Sequence, residues 1–79
     1  MVRPVATRAD TPAAIFAANV ERLREAKGWT QEKLGWESGL HQTAIARIES
    51  GDRVPTLTTV FKLAEGLKVP PAALFEGID

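Results

Sequence analysis

The sequence predicts an all-α domain of five short helices, two of which form a helix-turn-helix. Apolar residues recur every three or four positions, and no segment alternates as a strand would. Gly28, Gly39 and Gly51 each follow one of three successive periodic segments, where glycine commonly ends a helix. Between residues 30 and 51, two amphipathic segments are joined through the single glycine Gly39. This arrangement is able to place its second helix in the DNA major groove.

The composition narrows the class of protein. The 79 residues are enough for one small domain, and ten Lys and Arg balance ten Asp and Glu. Because the chain has no cysteine, a disulfide framework and a thiolate metal site are both excluded. We expect no metal and no other cofactor. With one histidine and no glycine-rich phosphate loop, the sequence does not predict an enzyme.

Two regions are distinguished along the chain. Residues 1–10 contain a proline and show no periodicity, so they are predicted to form a flexible N-terminal arm. Residues 11–79 are predicted to form a single helix-turn-helix DNA-binding domain. The arm lacks the apolar segment of a secretory signal. No apolar run approaches the ~18–20 residues that span a bilayer. We therefore expect a cytoplasmic protein of bacterial type.

The first helix should begin at Thr11 and Pro12, a capping residue followed by proline at the first helical position. It should end at Gly28. One face of it carries Phe16, Val20, Leu23 and Lys27. Trp29 is expected to fill the core where this helix passes to the second one.

The second helix is predicted from Gln31 to Ser38, with Thr30 as its cap and Leu34 facing inward. The third is predicted from Gln42 to Ser50, with two isoleucines buried, Ile45 and Ile48.

A loop over residues 52–55 precedes a fourth helix that is capped by Thr56. Its predicted inner face consists of Leu57, Val60, Phe61, Ala64 and Leu67. Pro70 and Pro71 break the chain and begin a last short helix through Leu74 and Phe75.

Four segments carry a specific resemblance: LREAKGWTQEKL, SGL, IARIESGDRVPTLTTVFKLAEGL and VPPAALF. From Phe16 to Phe75 the chain resembles the Cro and phage-repressor type of helix-turn-helix domain, the Xre family. The resemblance implies a compact lambda-repressor-like fold that binds double-stranded operator DNA, usually as a homodimer, and regulates transcription. Three positions depart from the family pattern: Gly35 stands where alanine is usual, His41 where serine or threonine often caps, and Lys68 where glycine often follows the fourth helix.

The third helix is the predicted recognition helix, and four of its residues are candidates for contact with bases: Gln42, Thr43, Ala46 and Arg47. Arginine pairs with two acceptors of guanine, and glutamine pairs similarly with adenine. Ala46 is able to touch a thymine methyl group. The alternative is an ordinary solvated helix face.

Candidate phosphate contacts lie on both sides of the recognition helix. Gln31 begins the second helix, where free N–H groups attract an anion, and the resemblance implies a backbone contact there. His41, Arg53 and Thr56 are further candidates, whereas Lys33 is equally compatible with a role in solubility alone.

The resemblance also implies a structural ion pair between Arg24 and Glu49, since a planar guanidinium suits a carboxylate. The alternative is two unrelated surface charges. A homodimer interface is predicted near the C-terminal end of the chain, from Phe61, Leu67, Val69, Leu74, Phe75 and Ile78. In such a dimer the two recognition helices would lie ~34–36 Å apart, one turn of B-DNA.

Charge is the main argument against DNA binding. Residues 30–53 contain three basic and four acidic side chains, for a formal net charge of −1. Because phosphate neutralisation supplies much of the affinity for DNA, one copy should bind weakly, which favours a dimer. The alternative is a protein-interaction module that keeps the fold without specific DNA binding. Restriction–modification controllers and antitoxins are two possible subtypes of regulator, and the role of Trp36 stays open.

Overall fold

The computed structural model describes residues 11–78, which contain four α-helices and one 3-10 helix. The α-helices are α1 (Pro12–Ala26), α2 (Gln31–Ser38), α3 (Gln42–Ser50) and α4 (Leu57–Leu67), and the 3-10 helix is Pro71–Phe75. The predicted all-α class is confirmed. The fifth helix is a 3-10 helix, with an i→i+3 hydrogen bond from the N–H of Ala73 to the carbonyl oxygen of Pro70 at 2.9 Å. The predicted arm, residues 1–10, lies outside the described residues.

Threonine caps begin three of the helices. The hydroxyl oxygens of Thr11, Thr30 and Thr56 accept hydrogen bonds from the backbone N–H three residues later, at 3.0, 3.0 and 3.1 Å. Each bond satisfies an N–H group that no helical carbonyl reaches. The predicted starts of α1, α2 and α4 are therefore confirmed.

Left-handed residues end the last three α-helices. Gly39 (φ 70°) and Gly51 (φ 83°) terminate α2 and α3, as the glycine spacing predicts. Lys68 terminates α4 with φ 59°, and it is the one non-glycine residue with positive φ in the described part of the chain. A side chain in this conformation costs roughly 1–2 kcal/mol, so the fold retains a strained residue at the end of α4.

One hydrophobic core joins all five elements. α2 packs against α3 and α4, whereas α1 packs mainly against α3 and the 3-10 helix. The buried core residues are Phe16, Val20, Leu34, Ile45, Ile48, Val60, Leu63, Ala64, Leu67 and Leu74. Trp29 is partly buried and packs against this core, as expected. No helix described here is long and apolar enough to cross a membrane.

The inner face of α4 differs from the predicted one. Leu57 and Phe61 are 73% and 54% exposed, whereas Leu63, absent from the predicted face, is fully buried. Helical periodicity fits two overlapping stripes of this helix, one through Leu57 and Phe61 and one through Val60 and Leu63. Packing on α2 selects the second stripe.

Two predicted interface residues belong to the core instead. Leu67 and Leu74 have no exposed surface, so they stabilise the domain and do not face a second copy. Apolar residues near the chain end predict an interface, but core residues share this pattern.

Glycines allow α2 to make two close approaches. A Cβ atom on Gly35 would lie 2.6 Å from the carbonyl oxygen of Leu40 in the turn before α3. A Cβ atom on Gly66 would lie 2.9 Å from Cα of Ser38, where α4 crosses α2. The position of the recognition helix on α2 therefore depends on the missing side chain of Gly35.

Candidate DNA-binding interface

The recognition helix α3 has one buried and one exposed face. Ile45 and Ile48 are buried in the core. Gln42, Thr43 and Arg47 are exposed and Ala46 is partly buried, on the side away from the two isoleucines. We call these four residues the recognition face. Their side chains therefore lie on the surface that α3 presents to solvent.

The start of α3 carries no side-chain cap. His41 occupies the capping position with extended backbone (φ −72°, ψ 146°), but its exposed imidazole makes no capping hydrogen bond. A serine or threonine at this position would satisfy one N–H of the first turn. Here those N–H groups have no side-chain acceptor of their own and are open to water or to an anion.

Gln31, the first residue of α2, is partly buried and held by a neighbour. Its amide nitrogen donates to Oε1 of Glu49 at 3.0 Å. An amide group has a second N–H and a carbonyl oxygen, and neither is used by another described residue. A phosphate contact by Gln31 is compatible with this bond.

Arg24 and Glu49 form a two-point ion pair. Nε of Arg24 donates to Oε2 of Glu49 at 2.7 Å, and Nη2 donates to Oε1 at 3.0 Å. Nη1 donates to the carbonyl oxygen of Trp29 at 2.7 Å. The hydrogen-bonded Glu49 carboxylate raises the pKa of Arg24 above its usual value, against the effect of burial. The expected structural pair is thus present, linking α1 to α3.

Arg53 and Thr56, which are also expected to contact phosphate, differ in whether their side chains are available for that contact. Arg53 is exposed in the loop between α3 and α4. The hydroxyl of Thr56, by contrast, caps α4 and donates to Oγ1 of Thr59 at 3.0 Å. Because that hydroxyl is committed, only the backbone N–H groups of the first turn of α4 remain for an anion.

Two acidic side chains of residues 30–53 form ion pairs, one with a base outside this stretch and one with a base inside it. Glu49 is matched by Arg24, which lies outside residues 30–53. Glu37 accepts from Lys33 at 2.9 Å, and this hydrogen bond lowers the pKa of Glu37 below its usual value. The Nζ atoms of Lys27 and Lys33 lie 5.1 and 5.7 Å from the ring centre of Trp29. Glu37 and Glu49 are therefore each paired with a base.

Sequence reasoning missed part of an exposed apolar surface. Val54, Leu57, Phe61 and Phe75 are 73%, 73%, 54% and 42% exposed, and we call them the apolar patch. Leu57 and Phe61 lie one turn apart on α4. Val54 and Phe75 line a groove of about 430 Å³ that also includes Phe16. Two apolar stripes on α4 were the signal in the sequence, because only one stripe fits the core of a domain this small.

The remaining predicted interface residues lie at the edge of the core. Val69 and Ile78 are half-buried and pack against it. The ring of Phe75 lies 5.4 Å from that of Phe16. Of the six residues expected at the interface, Phe61 and Phe75 are the ones that present large exposed surfaces.

A protein-family comparison matches residues 20–74 to the helix-turn-helix family HTH_3. The chain belongs to this family. The match runs from the middle of α1 to the 3-10 helix and includes the whole recognition face. The family consists of DNA-binding regulators and not of enzymes, so the predicted Xre-type, DNA-binding transcriptional regulator is confirmed at the family level.

Similar proteins carry names of three kinds: HTH-type transcriptional regulators, control proteins and an antitoxin. An uncharacterized HTH-type transcriptional regulator, y4dJ of Sinorhizobium fredii, is 37% identical over 82% of this chain and 84% of its own. The control protein C.BamHI of Bacillus amyloliquefaciens is 36% identical over 78% of each chain. Other regulators and an antitoxin are longer, and the match covers between 33% and 60% of them.

Comparison with solved structures also finds a restriction-modification controller protein. The restriction-modification controller protein C.AhdI from Aeromonas hydrophila is similar with a TM-score of 0.75 at 38% sequence identity. The similarity covers 77% of this chain and 92% of that one. The family's helical arrangement therefore extends over nearly all of the described core.

Proposed function

We propose that this helix-turn-helix protein regulates transcription by binding a pseudo-palindromic operator as a homodimer. The observation that supports this most directly is the recognition face. α3 presents Gln42, Thr43 and Arg47 to solvent while Ile45 and Ile48 fix its other side in the core. A helix held in this way is able to enter the major groove, and its polar side chains have the donors that base edges need.

Base readout is assigned to the recognition face. Arg47 offers two parallel donors for a guanine, and Gln42 offers one donor and one acceptor for an adenine. Thr43 is able to bond to either kind of base, and the methyl group of Ala46 suits a thymine methyl. These four residues supply sequence preference.

Phosphate contacts position the recognition helix. Gln31 and the first-turn N–H groups of α2 would contact one phosphate, with His41 beside them at the start of α3. Arg53 and the first turn of α4 would contact the backbone on the other side of the groove. Such contacts fix the register of a protein on DNA and carry no sequence information.

Dimerisation is assigned to the apolar patch. Large apolar side chains that are 42–73% exposed favour burial against another surface, because removing them from water stabilises the assembly. A second copy supplies a matching patch under two-fold symmetry. A dimer also doubles the contacts with DNA, which offsets the local net charge of −1.

A controller of restriction–modification genes is the subtype that the comparisons favour. The similar proteins C.BamHI and C.AhdI carry that description, and the matching region covers 78% and 92% of their chains. An antitoxin is the alternative subtype. Neighbouring genes would separate the two, since a controller is encoded beside a restriction enzyme and an antitoxin beside its toxin.

The test is selection of bound sites from a random duplex pool, followed by fluorescence anisotropy at two salt concentrations. We expect a two-fold symmetric site, with log K falling by about 0.9 per log salt for each phosphate neutralised. Equal binding to every duplex, or binding to none, would instead support a protein-interaction module.

A further inference from the structure

The carboxylate of Glu49 bonds to more than its ion-pair partner. Oε2 accepts from Nε of Arg24, and Oε1 accepts both from Nη2 of Arg24 and from the amide of Gln31. The Glu49 side chain is only 3% exposed. One buried carboxylate therefore connects α1, α3 and the first residue of α2. The ion pair alone would hold α1 to α3, and it does not account for the bond to Gln31.

We infer that Glu49 is a positioning residue that orients the side chain of Gln31 for contact with a DNA phosphate. The inference rests on the proposed function. Glu49 holds one amide N–H of Gln31, and the second N–H is left for an acceptor outside the protein. A glutamine that is already held loses less side-chain freedom when it binds.

The location of Glu49 gives this bond a second effect. Glu49 lies two residues after Arg47 on α3, whereas Gln31 begins α2. The 3.0 Å bond between them ties the phosphate anchor to the helix that contacts bases. Backbone contact and base contact are thereby held at a fixed separation.

Arg24 makes a carboxylate tolerable beside DNA. An unpaired Glu49 would repel the phosphate that Gln31 is meant to contact. Arg24 instead donates to it at two points, at 2.7 and 3.0 Å, closer than Glu21 and Glu25, which lie 4.0 and 3.9 Å from Nη2 of Arg24. Glu49 thus contributes a hydrogen-bond acceptor while the nearest positive charge is bonded to it directly.

The direction in which one substitution changes the DNA affinity separates this positioning role from a purely electrostatic effect. Glu49→Gln removes a negative charge near DNA, which by Coulomb attraction alone should tighten binding. If Glu49 positions Gln31, the same change should weaken binding, because an amide has one acceptor oxygen in place of the two that Arg24 and Gln31 use. Gln31→Ala should weaken it by roughly tenfold, as expected for loss of a hydrogen bond to a charged group.

The experiment is a double-mutant cycle on the affinity for the selected duplex. The four proteins are the wild type, Gln31→Ala, Glu49→Gln and the double variant, each measured at a temperature where it is folded. We expect the double variant to bind no more weakly than Gln31→Ala alone, since Glu49 acts through Gln31. Thermal melting should show a coupling on stability as well, because the two residues share a hydrogen bond, so the affinities are compared only where all four proteins are folded.

Glu21→Gln is the matched control. It removes a negative charge beside the same Arg24 without a bond to Gln31, so it should not weaken the affinity. If Glu49→Gln does not fold, Glu49→Asp keeps the charge and withdraws the oxygen from Gln31. The same loss of affinity is then expected.

The outcomes separate the two proposals. A wild-type protein that binds no duplex contradicts the proposed function. A wild-type protein that binds, together with losses that simply multiply in the double variant, overturns the positioning role. Tighter binding by Glu49→Gln overturns it as well.

Discussion

The recognition face and the apolar patch are both exposed, yet they constrain function to different degrees. Gln42, Thr43 and Arg47 are polar side chains that water solvates well, so their exposure alone is compatible with an ordinary helix surface. Leu57 and Phe61 are large apolar side chains that are 73% and 54% exposed. Such a surface favours a partner even in the absence of DNA. The apolar patch therefore provides evidence for assembly that does not depend on the recognition face.

The recognition face and the apolar patch are also held in position by different contacts. The recognition face depends on α2, through the close approach at Gly35 and the hydrogen bond from Gln31 to Glu49. The apolar patch lies on α4 and the segments beside it, and its backbone is fixed by the stripe of Val60 and Leu63 in the core. Damage to the recognition side should thus leave dimerisation through the apolar patch unchanged.

Leu57→Glu should have the largest effect. It places an unpaired charge in the proposed interface, which should weaken dimerisation and operator binding by at least about 100-fold. The folded monomer should persist, because Leu57 is 73% exposed. Sedimentation velocity and DNA titration measure the two effects. Ala18→Glu adds the same charge at an exposed site on α1 and should leave the dimer intact; equal behaviour of both variants would remove the patch from the interface.

Arg47→Ala and Arg53→Ala should separate base readout from phosphate contact. Arg47→Ala should reduce discrimination between the operator and a single-base variant by about 1–3 kcal/mol. Arg53→Ala should weaken binding to all duplexes alike and lower the salt slope by about 0.9. Anisotropy titrations over a salt series provide both quantities. Identical effects of the two substitutions would contradict the assignment.

Gly35→Ala should damage the recognition side alone. The new Cβ would meet the carbonyl oxygen of Leu40, so the turn before α3 must shift. Overpacking offset by better helix propensity should lower the free energy of unfolding by about 1–2 kcal/mol. Operator affinity should fall while the dimerisation constant stays unchanged. Trp36→Ala, at the next and 83% exposed position, should change stability by less than about 0.5 kcal/mol.

Ser38→Ala should have the smallest effect. The hydroxyl of Ser38 is buried and has no hydrogen-bond partner among the described residues. Its removal should leave the free energy of unfolding unchanged or raise it by up to about 1 kcal/mol. Thr30→Ala, which removes a capping hydroxyl, should instead lower it by about 1 kcal/mol. Chemical denaturation distinguishes the two, and a clear loss for Ser38→Ala would reveal a bond to its hydroxyl.

Local features of this fold could be predicted from the sequence, whereas features set by packing could not. Threonine caps and glycine termini act within a few residues, so the bounds of α2 and α3 followed from their neighbours along the chain. The face of α4 depends on which of two apolar stripes meets α2, and periodicity does not choose between them.

The candidate site likewise contains features that the sequence predicts and features that depend on packing. The exposed positions of α3 follow from helical spacing once Ile45 and Ile48 are placed inside. The bond from Gln31 to Glu49 joins residues 18 apart on different helices, so no local pattern indicates it. Trp36 is 83% exposed, and nothing in the structure explains it.

The stoichiometry of the operator complex tests the central claim most directly. Sedimentation equilibrium of the protein with the selected duplex should show two protomers per site. Footprints of the two half-sites should be centred ~34–36 Å apart, one turn of B-DNA. A single protomer that binds with full affinity, and stays monomeric at every concentration tested, would contradict a dimeric operator-binding regulator.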